Sequence, residues 1–507
     1  MSDRRRWWAL GALVLSVLTV GLDGTVLNVA LPTIAADLDA GTDGLQWVVN
    51  AYVLVFAGLM LPFGALGDRY GRRRLLLIGL AVLGMASLIS VYADGLGALL
   101  VARTLMGLGA AILTPTAVAV LPALFAPAER PKAVAVLMLG LGLGIPLGPI
   151  VGGYLLDHFW WGSIFLINVP VAALGMIAVA LLMPENRDPQ PRPADLPGGL
   201  LSTTGLVTLV YGIVAAPERG WGDPLVLVAL TGGVLLLAAF GWWERRTGHP
   251  MIDLRLFGDP GFLWGAVAAT ILSFGLFGLL FVVPQYLSFG FGYDALGTGV
   301  RLLPLIGGLF VASPLAARLS VRIGHRLPVT AGLLITAAGL ALGASTGPTT
   351  GYGFAAAWCA IVGFGTGLAL APAMDAVLGA LPPARAGSGT ALTMTMRQAA
   401  GALGVALLGS LLNAVYTGRV DVAGLGADAT RTAQDSAAGA YAVAAALGRP
   451  ELAASAHDAF VAGMAAVLWS CAAITVVGAA LTALLLPARR PDPGDGGESA
   501  HELVGVA

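Results

Sequence analysis

The chain has 507 residues, of which 57% are hydrophobic and 11% are charged, with a net charge of −1. Soluble globular domains carry about 25% charged residues, so this composition, with a mean hydropathy of +0.86, marks a membrane protein. The near-neutral charge excludes the clustered basic surface that a nucleic-acid partner needs, and the long apolar runs exclude a strand-based barrel.

Hydropathy, with turn residues and charges as punctuation, predicts helical spans in chain order near 8–30, 45–66, 75–93, 96–117, 133–156, 163–183, 198–216, 223–243, 262–287, 297–317, 327–345, 353–379, 395–416 and 460–486. The expected fold is all-α, with fourteen membrane spans. Arg4, Arg5 and Arg6 precede the first span. Further basic residues stand at Arg69/Arg72/Arg73/Arg74, Arg130/Lys132, Arg187/Arg192, Arg245/Arg246/Arg255, Arg318/Arg322/Arg326, Arg385 and Arg489/Arg490. All of these fall on one side, which is therefore expected to be cytoplasmic together with both termini. The opposite loops hold little Lys or Arg apart from Arg219 and the segment 417–459. An Arg-rich start before an apolar run also describes a signal peptide, but this run is too long and has no small-residue cleavage site, so it reads as an uncleaved first helix. The segment 185–197 reads as a polar, Pro-rich cytoplasmic linker, 417–459 as an Ala-rich external loop with room for short helix, and 487–507 as a disordered tail. Cys359 and Cys471 lie in apolar helices and read as small core residues.

In "TVGLDGTVLNVALP" (19–32) a carboxylate interrupts an apolar span. A charge near the bilayer centre costs about 2.5–3.5 kcal/mol on insertion scales, so Asp23 needs a use or a partner. Facing a cavity it is a candidate proton carrier. The alternative is a structural carboxylate that accepts hydrogen bonds from Thr25, Asn28 or another helix. Arg103, inside the fourth span, cannot shed its proton and must find acceptors, unless it snorkels to the outer surface. Asp375, in "ALAPAMDAVLGALP", lies nearer the cytoplasmic end and reads either as a second proton or cation site or as a helix-end residue reaching water. Asn28, Asn50, Tyr52, Asn168, Gln285, Tyr286 and Asn413 are candidates to line a substrate cavity, although isolated polar groups in membrane helices often hydrogen-bond across packing interfaces instead.

The stretch "GALGDRYGRRRLL" (64–76) separates the second and third spans. Gly64, Gly67 and Gly71 permit a tight turn and close helix approach, Asp68 orients neighbouring guanidinium groups, and Arg72, Arg73 and Arg74 anchor the loop at headgroups. This order of residues resembles the cytoplasmic loop motif of the major facilitator superfamily. A faded copy, "LSVRIGHRLP" (319–328), matches "LGDRYGRRRL" (66–75), with Arg322 over Arg69, Gly324 over Gly71 and Val321 in place of Asp68. Such a repeat is what two related six-helix halves leave behind. The halves then span 1–184 and 244–486, with two additional helices in 198–243 between them.

Gly140, Gly144, Gly148 and Gly152 recur every four residues in the fifth span, forming a small-residue stripe beside Pro146, Pro149 and Gly153. Ordinary close packing and a bendable, gating helix both fit that pattern. "GLGIPLGPIVGG" (142–153), "RTLMGLGAA" (103–111), "LDGTVLNVALP" (22–32), "WWGSIFLINVPV" (160–171), "IDLRLF" (252–257) and "RQAAGALGVALLGSLL" (397–412) resemble segments of the fourteen-helix drug:proton antiporters. The resemblance implies a major facilitator fold that exports lipophilic or cationic drugs or antibiotics against protons by alternating access. It also implies that the glycine-rich helix seals the path against proton leak, and that Arg103 acts in proton transfer through its charge on an acidic partner, for which Asp23 is the candidate.

Lys132 is the only lysine in the chain and belongs to no Gly-Lys-Ser/Thr sequence, so the chain supplies no P-loop of its own. Proton movement yields about 2.3 kcal/mol per charge per 100 mV, equivalent to roughly a 50-fold solute gradient. No cofactor or metal is expected, and no enzyme: the five histidines are scattered, with no HExxH. The expected partners of a monomer are a small-molecule drug, protons and membrane lipids. A proton-coupled importer, or an exporter of another solute in the same superfamily, is the rival reading. Scarce Lys beside abundant Arg, Ala and Gly points to a high-GC bacterial genome and its cytoplasmic membrane.

Overall fold

In lipid, a backbone without water must satisfy its own hydrogen bonds, and the long apolar runs do so as helices. The computed structural model describes residues 3–38, 42–185, 195–382 and 386–488. Arg385, and the side chains of Asn28, Pro146 and Pro149, lie outside the described residues. The N-terminal helices are α1 (Asp3–Asp37), α2 (Thr42–Tyr70), α3 (Arg72–Val91), α4 (Leu96–Leu124), α5 (Arg130–His158), α6 (Ser163–Leu166) and α7 (Asn168–Leu182). Next come α8 (Leu196–Arg219) and α9 (Pro224–Arg246). The remainder are α10 (Pro260–Phe291), α11 (Ala295–Arg301), α12 (Leu303–Ile323), α13 (Arg326–Ala344), α14 (Tyr352–Ala380), α15 (Ala386–Thr417), α16 (Ala427–Asp435), α17 (Ala437–Leu447) and α18 (Pro450–Leu485). Thirteen helical segments among the described residues are long and apolar enough to cross a membrane. Helix α5, 29 residues long, takes the remaining place in the expected series of fourteen.

Three boundaries depart from hydropathy. The sixth span breaks at Ile167 into α6 and α7. Helix α15 starts well before residue 395, because Ser388, Thr390, Thr393 and Thr395 lower the local hydropathy yet are buried against neighbouring helices. The segment 417–459 contains α16, α17 and the first turns of α18, which begins at Pro450.

The packing repeats. Helix α1 pairs with α5, α2 with α4, and α3 with α4 and α7; correspondingly α10 pairs with α15, α12 with α14, and α13 with α14 and α18. The two bundles meet where α2 lies against α15 and α5 against α12. The α8–α9 hairpin covers the first of these seams: α8 packs on both α2 and α15, and Trp221 Nε1 donates to Ser410 Oγ at 3.0 Å. The turns between α2 and α3 and between α12 and α13 each need a left-handed residue, supplied by Gly71 (φ 104°) and Gly324 (φ 79°). The faded copy thus keeps the backbone of its partner. These two turns define the basic end of the bundle, opposite the far end that carries α16 and α17.

The glycine stripe faces α1. A Cβ on Gly144 would lie 2.5 Å from the Gly21 Cα, one on Gly140 2.7 Å from Val14 Cγ1, and one on Gly152 2.9 Å from Val26 Cγ2. Thr25 Oγ1 donates to the Gly144 carbonyl at 3.3 Å, tying the two backbones together two residues from Asp23. Replacing Gly144 by Ala should therefore lower stability by about 1–3 kcal/mol, the usual cost of overpacking. Gly11→Ala, where nothing lies within 4 Å, should be neutral or stabilising. Thermal midpoints of the purified protein in detergent, followed by tryptophan fluorescence, check the pair.

Candidate functional site

Four side chains that the sequence offered separately converge inside the N-terminal bundle. Asp23 on α1 is completely buried, and its Oδ2 accepts from Arg103 Nη1 of α4 at 2.9 Å. Arg103 is 1% exposed, so it does not snorkel to the surface; its Nε donates to the Val48 carbonyl of α2 at 3.2 Å. The guanidinium carbon also lies 4.4 Å from the ring centroid of Tyr52, whose hydroxyl donates to the Val20 carbonyl at 3.4 Å. Asn168, the first residue of α7 after the break at Ile167, points Nδ2 at Asp23 Oδ1 at 3.4 Å. At 1.5 Å per residue Arg103 sits about 10 Å in from the far end of α4, at membrane depth. A carboxylate and a guanidinium here neutralise one another. Removing either charge would strand the other in low dielectric.

The loop motif forms a second cluster, at the basic end. Asp68 Oδ1 accepts from Arg72 Nη2 at 2.7 Å, and Arg72 Nη1 donates to the Ala119 carbonyl at 3.0 Å. The same carboxylate crosses to the other bundle. Oδ1 accepts from the Gly387 amide at 2.9 Å and Oδ2 from the Ser388 amide at 3.0 Å. These amides open α15, where unsatisfied N–H groups and the positive end of the helix dipole favour an anion. Gly64 and Gly387 permit the approach: a Cβ on Gly64 would meet Ala391 and the Gly387 carbonyl. Around this core Gly67 lies over Leu75 and Thr116, Arg69 stacks on Tyr70, Arg73 donates to the Ala180 carbonyl, and Arg74 reaches Glu185 at 3.6 Å.

Asp375, in α14, is 4% exposed; its Oδ2 lies 2.6 Å from His325 Nε2, while Oδ1 is buried without a hydrogen-bond partner among the described residues. His325 was missed in the sequence, although it stands over Arg72 in the repeat. In the N-terminal bundle Arg72 bonds a carbonyl of α4; in the C-terminal one His325 bonds a carboxylate of α14, the partner of α4 by packing.

The other cavity candidates scatter. Asn50 is half-buried on α2. Gln285 donates to the Phe281 carbonyl of its own helix at 2.8 Å, and Tyr286 is buried edge-on against Phe291. Asn413 is exposed near the far end of α15, on the outside of the site. Gly148 abuts Thr25 and Val26 beside Asp23, whereas Gly153 faces Leu296 of α11 across the bundles. Cys359 and Cys471 are free and buried.

The comparisons agree with this architecture. Residues 13–405 match the family model for the Major Facilitator Superfamily. The chain is 39% identical to the puromycin resistance protein pur8 of Streptomyces alboniger, covering 82% of this chain and 83% of that protein. It is 33% identical to the multidrug efflux pump LfrA of Mycolicibacterium smegmatis, covering 94% and 96%. It is also 32% identical to the tetracenomycin C resistance and export protein of Streptomyces glaucescens, covering 80% and 76%. The solved structure of the proton:xylose symporter XylE is similar in fold at a TM-score of 0.60 and 15% identity, covering 96% of this chain and 97% of that one. The paired helix packing, the repeated glycine turn and these matches lead to one conclusion: the chain is a multi-pass membrane transporter belonging to the major facilitator superfamily.

Proposed function

We propose that this transporter is a fourteen-helix drug:proton antiporter that exports antibiotics or other lipophilic small molecules from a bacterial cytoplasm by alternating access. Similarity to drug-resistance and efflux proteins along nearly the whole chain supports the export direction. The observation that carries the proton half of the reading is the wholly buried Asp23–Arg103 pair, held at 2.9 Å between α1 and α4. In this reading Asp23 carries the proton, Arg103 sets how readily it is taken up, and Asn168 and Tyr52 hold the pair in place. Protonation of Asp23 would release Arg103 from its counter-charge, so the proton and the packing of α1, α4 and α7 are linked. In this reading the basic end faces the cytoplasm, and the Asp68 bridge to α15 holds that side closed. His325 and Asp375 form a second titratable pair beside the corresponding turn of the other bundle.

Everted membrane vesicles from an efflux-deficient host test the coupling. Asp23→Asn should abolish drug uptake driven by an imposed pH gradient and return the host to drug susceptibility; undiminished proton-driven transport would refute the role. Breaking one side of a buried pair costs about 3–5 kcal/mol, whereas replacing both sides by apolar groups is often neutral. The double variant Asp23→Leu/Arg103→Leu should therefore regain much of the lost thermal stability without regaining proton-driven transport, and recovery of both would make the pair structural.

Asp68→Asn should weaken the closure of the basic end, since hydrogen bonds to a charged group contribute about 1.5–3 kcal/mol each. A cysteine placed at Ala391, which packs on Gly64, should then react with a permeant maleimide at least several-fold faster than in the wild-type background, against the buried Cys359 and Cys471.

A further inference from the structure

Arg397, on α15, has no role in the preceding account. It stands 11 residues after Ala386, about 17 Å in from the basic end at 1.5 Å per residue, and so well inside the membrane. Its contacts join both bundles. Nε donates to Ser273 Oγ of α10 at 2.9 Å, and Nη1 meets only sulfur, Met394 Sδ at 3.4 Å and Met138 Sδ of α5 at 4.0 Å. No carboxylate pairs with it among the described residues.

A guanidinium holds five donors and a fixed positive charge. Among the described residues one donor has an oxygen acceptor and thioether sulfur, a weak acceptor, takes another, while the residue keeps partial exposure. The contrast with Arg103 is direct, because that residue has its own carboxylate, a carbonyl and an aromatic face. Asp23 is spent on Arg103, and Asp375 lies on His325 near the basic end. The charge left at the junction of the bundles is therefore positive. Beside it, one turn along α15, Phe277 of α10 packs against Gly401, where a Cβ would lie 3.0 Å from the ring. A fork of unspent donors next to an aromatic side chain is complementary to a planar aromatic ligand bearing a carboxylate, phenolate or enolate oxygen, and it repels a cation.

We infer that Arg397 is the substrate-binding group of this transporter and that it selects aromatic anions, its free N–H donors pairing with an acidic oxygen of the ligand between α5, α10 and α15. This rests on the export reading above but does not depend on Asp23.

Two dyes with the same ring system separate the cases: fluorescein, which carries carboxylate and phenolate groups, and rhodamine 123, which is a cation. Binding of each to the purified full chain in lipid nanodiscs is followed by fluorescence polarisation, with thermal midpoints confirming that each variant is folded. Wild type should bind fluorescein more tightly than rhodamine 123. Arg397→Gln should weaken fluorescein binding at least about tenfold, about 1.4 kcal/mol, and leave rhodamine 123 within about twofold or improve it. Arg397→Lys, which keeps the charge but not the fork, should fall between. In unmodified protein, 2-naphthoate should displace fluorescein and 2-naphthylmethanol should not, a result independent of how the variants fold. Preference of the wild type for the cation, an equal loss of both dyes in folded Arg397→Gln, or equal displacement by acid and alcohol would overturn the inference. Export of rhodamine 123 alone from energised cells would overturn it while leaving the efflux reading standing; export of neither dye nor of any compound in a drug panel would instead count against efflux itself.

Discussion

The structure is organised around the rule that a charge in hydrocarbon must be matched by protein. Asp23 and Arg103 obey it completely, with 0% and 1% exposure and a 2.9 Å contact. That contact dictates much of the N-terminal bundle. It requires α1 and α4 to approach closely at that depth, and Val48 of α2 and Asn168 of α7 must present a carbonyl and an amide to the remaining polar atoms. Four helices are thereby fixed about one ion pair. The glycine stripe of α5 is the complementary device on the other side of α1: it brings the backbones of α1 and α5 together through small residues instead of charge.

Much of this was legible in the sequence because the relevant signals are strong in a membrane protein. Hydropathy placed the spans, since lipid permits few backbone solutions, and an acid and a base inside two of those spans had to be partnered. Tyr52 and Asn168 were flagged as isolated polar groups, and both belong to the Asp23 cluster. Gln285, Tyr286 and Asn413 were flagged by the same logic and lie apart from that cluster. A glutamine that bonds its own helix, a buried tyrosine and an exposed asparagine look alike in one dimension, because the helix face that each occupies is set by packing across the bundle. The break at Ile167 was invisible for a related reason: α6 and α7 are both apolar, and Ile167 between them keeps helical backbone angles (φ −60°, ψ −29°).

His325 shows what a repeat reveals when it is followed residue by residue. Val321 replaces Asp68, so the C-terminal copy has lost the carboxylate that bridges the bundles, and the neighbouring basic position has changed from Arg72 to His325. The carboxylate has been relocated, since Asp375 on α14 now meets the basic residue from within the same bundle. One turn fastens two bundles together; its counterpart fastens α13 to α14. The symmetry of the backbone is kept and the symmetry of the charges is not.

That asymmetry bears on how the two bundles would separate in the proposed cycle. At the basic end they are joined by an anion on the two leading amides of α15 and by the glycine contact of Gly64 with Gly387 and Ala391. Charge-assisted hydrogen bonds of this kind contribute about 1.5–3 kcal/mol each, and a small-residue contact adds dispersion without trapping large side chains. Each of these bonds is therefore of the same order as the 2.3 kcal/mol or so that one charge gains per 100 mV of membrane potential. In the proposed cycle the energy of a proton or two would suffice to shift the population between closed and open, which a large interlocked apolar interface would resist. A bridge built from one carboxylate and the two small-residue contacts of Gly64 is strong enough to define a state and, in the proposed cycle, weak enough to be undone by an ion gradient.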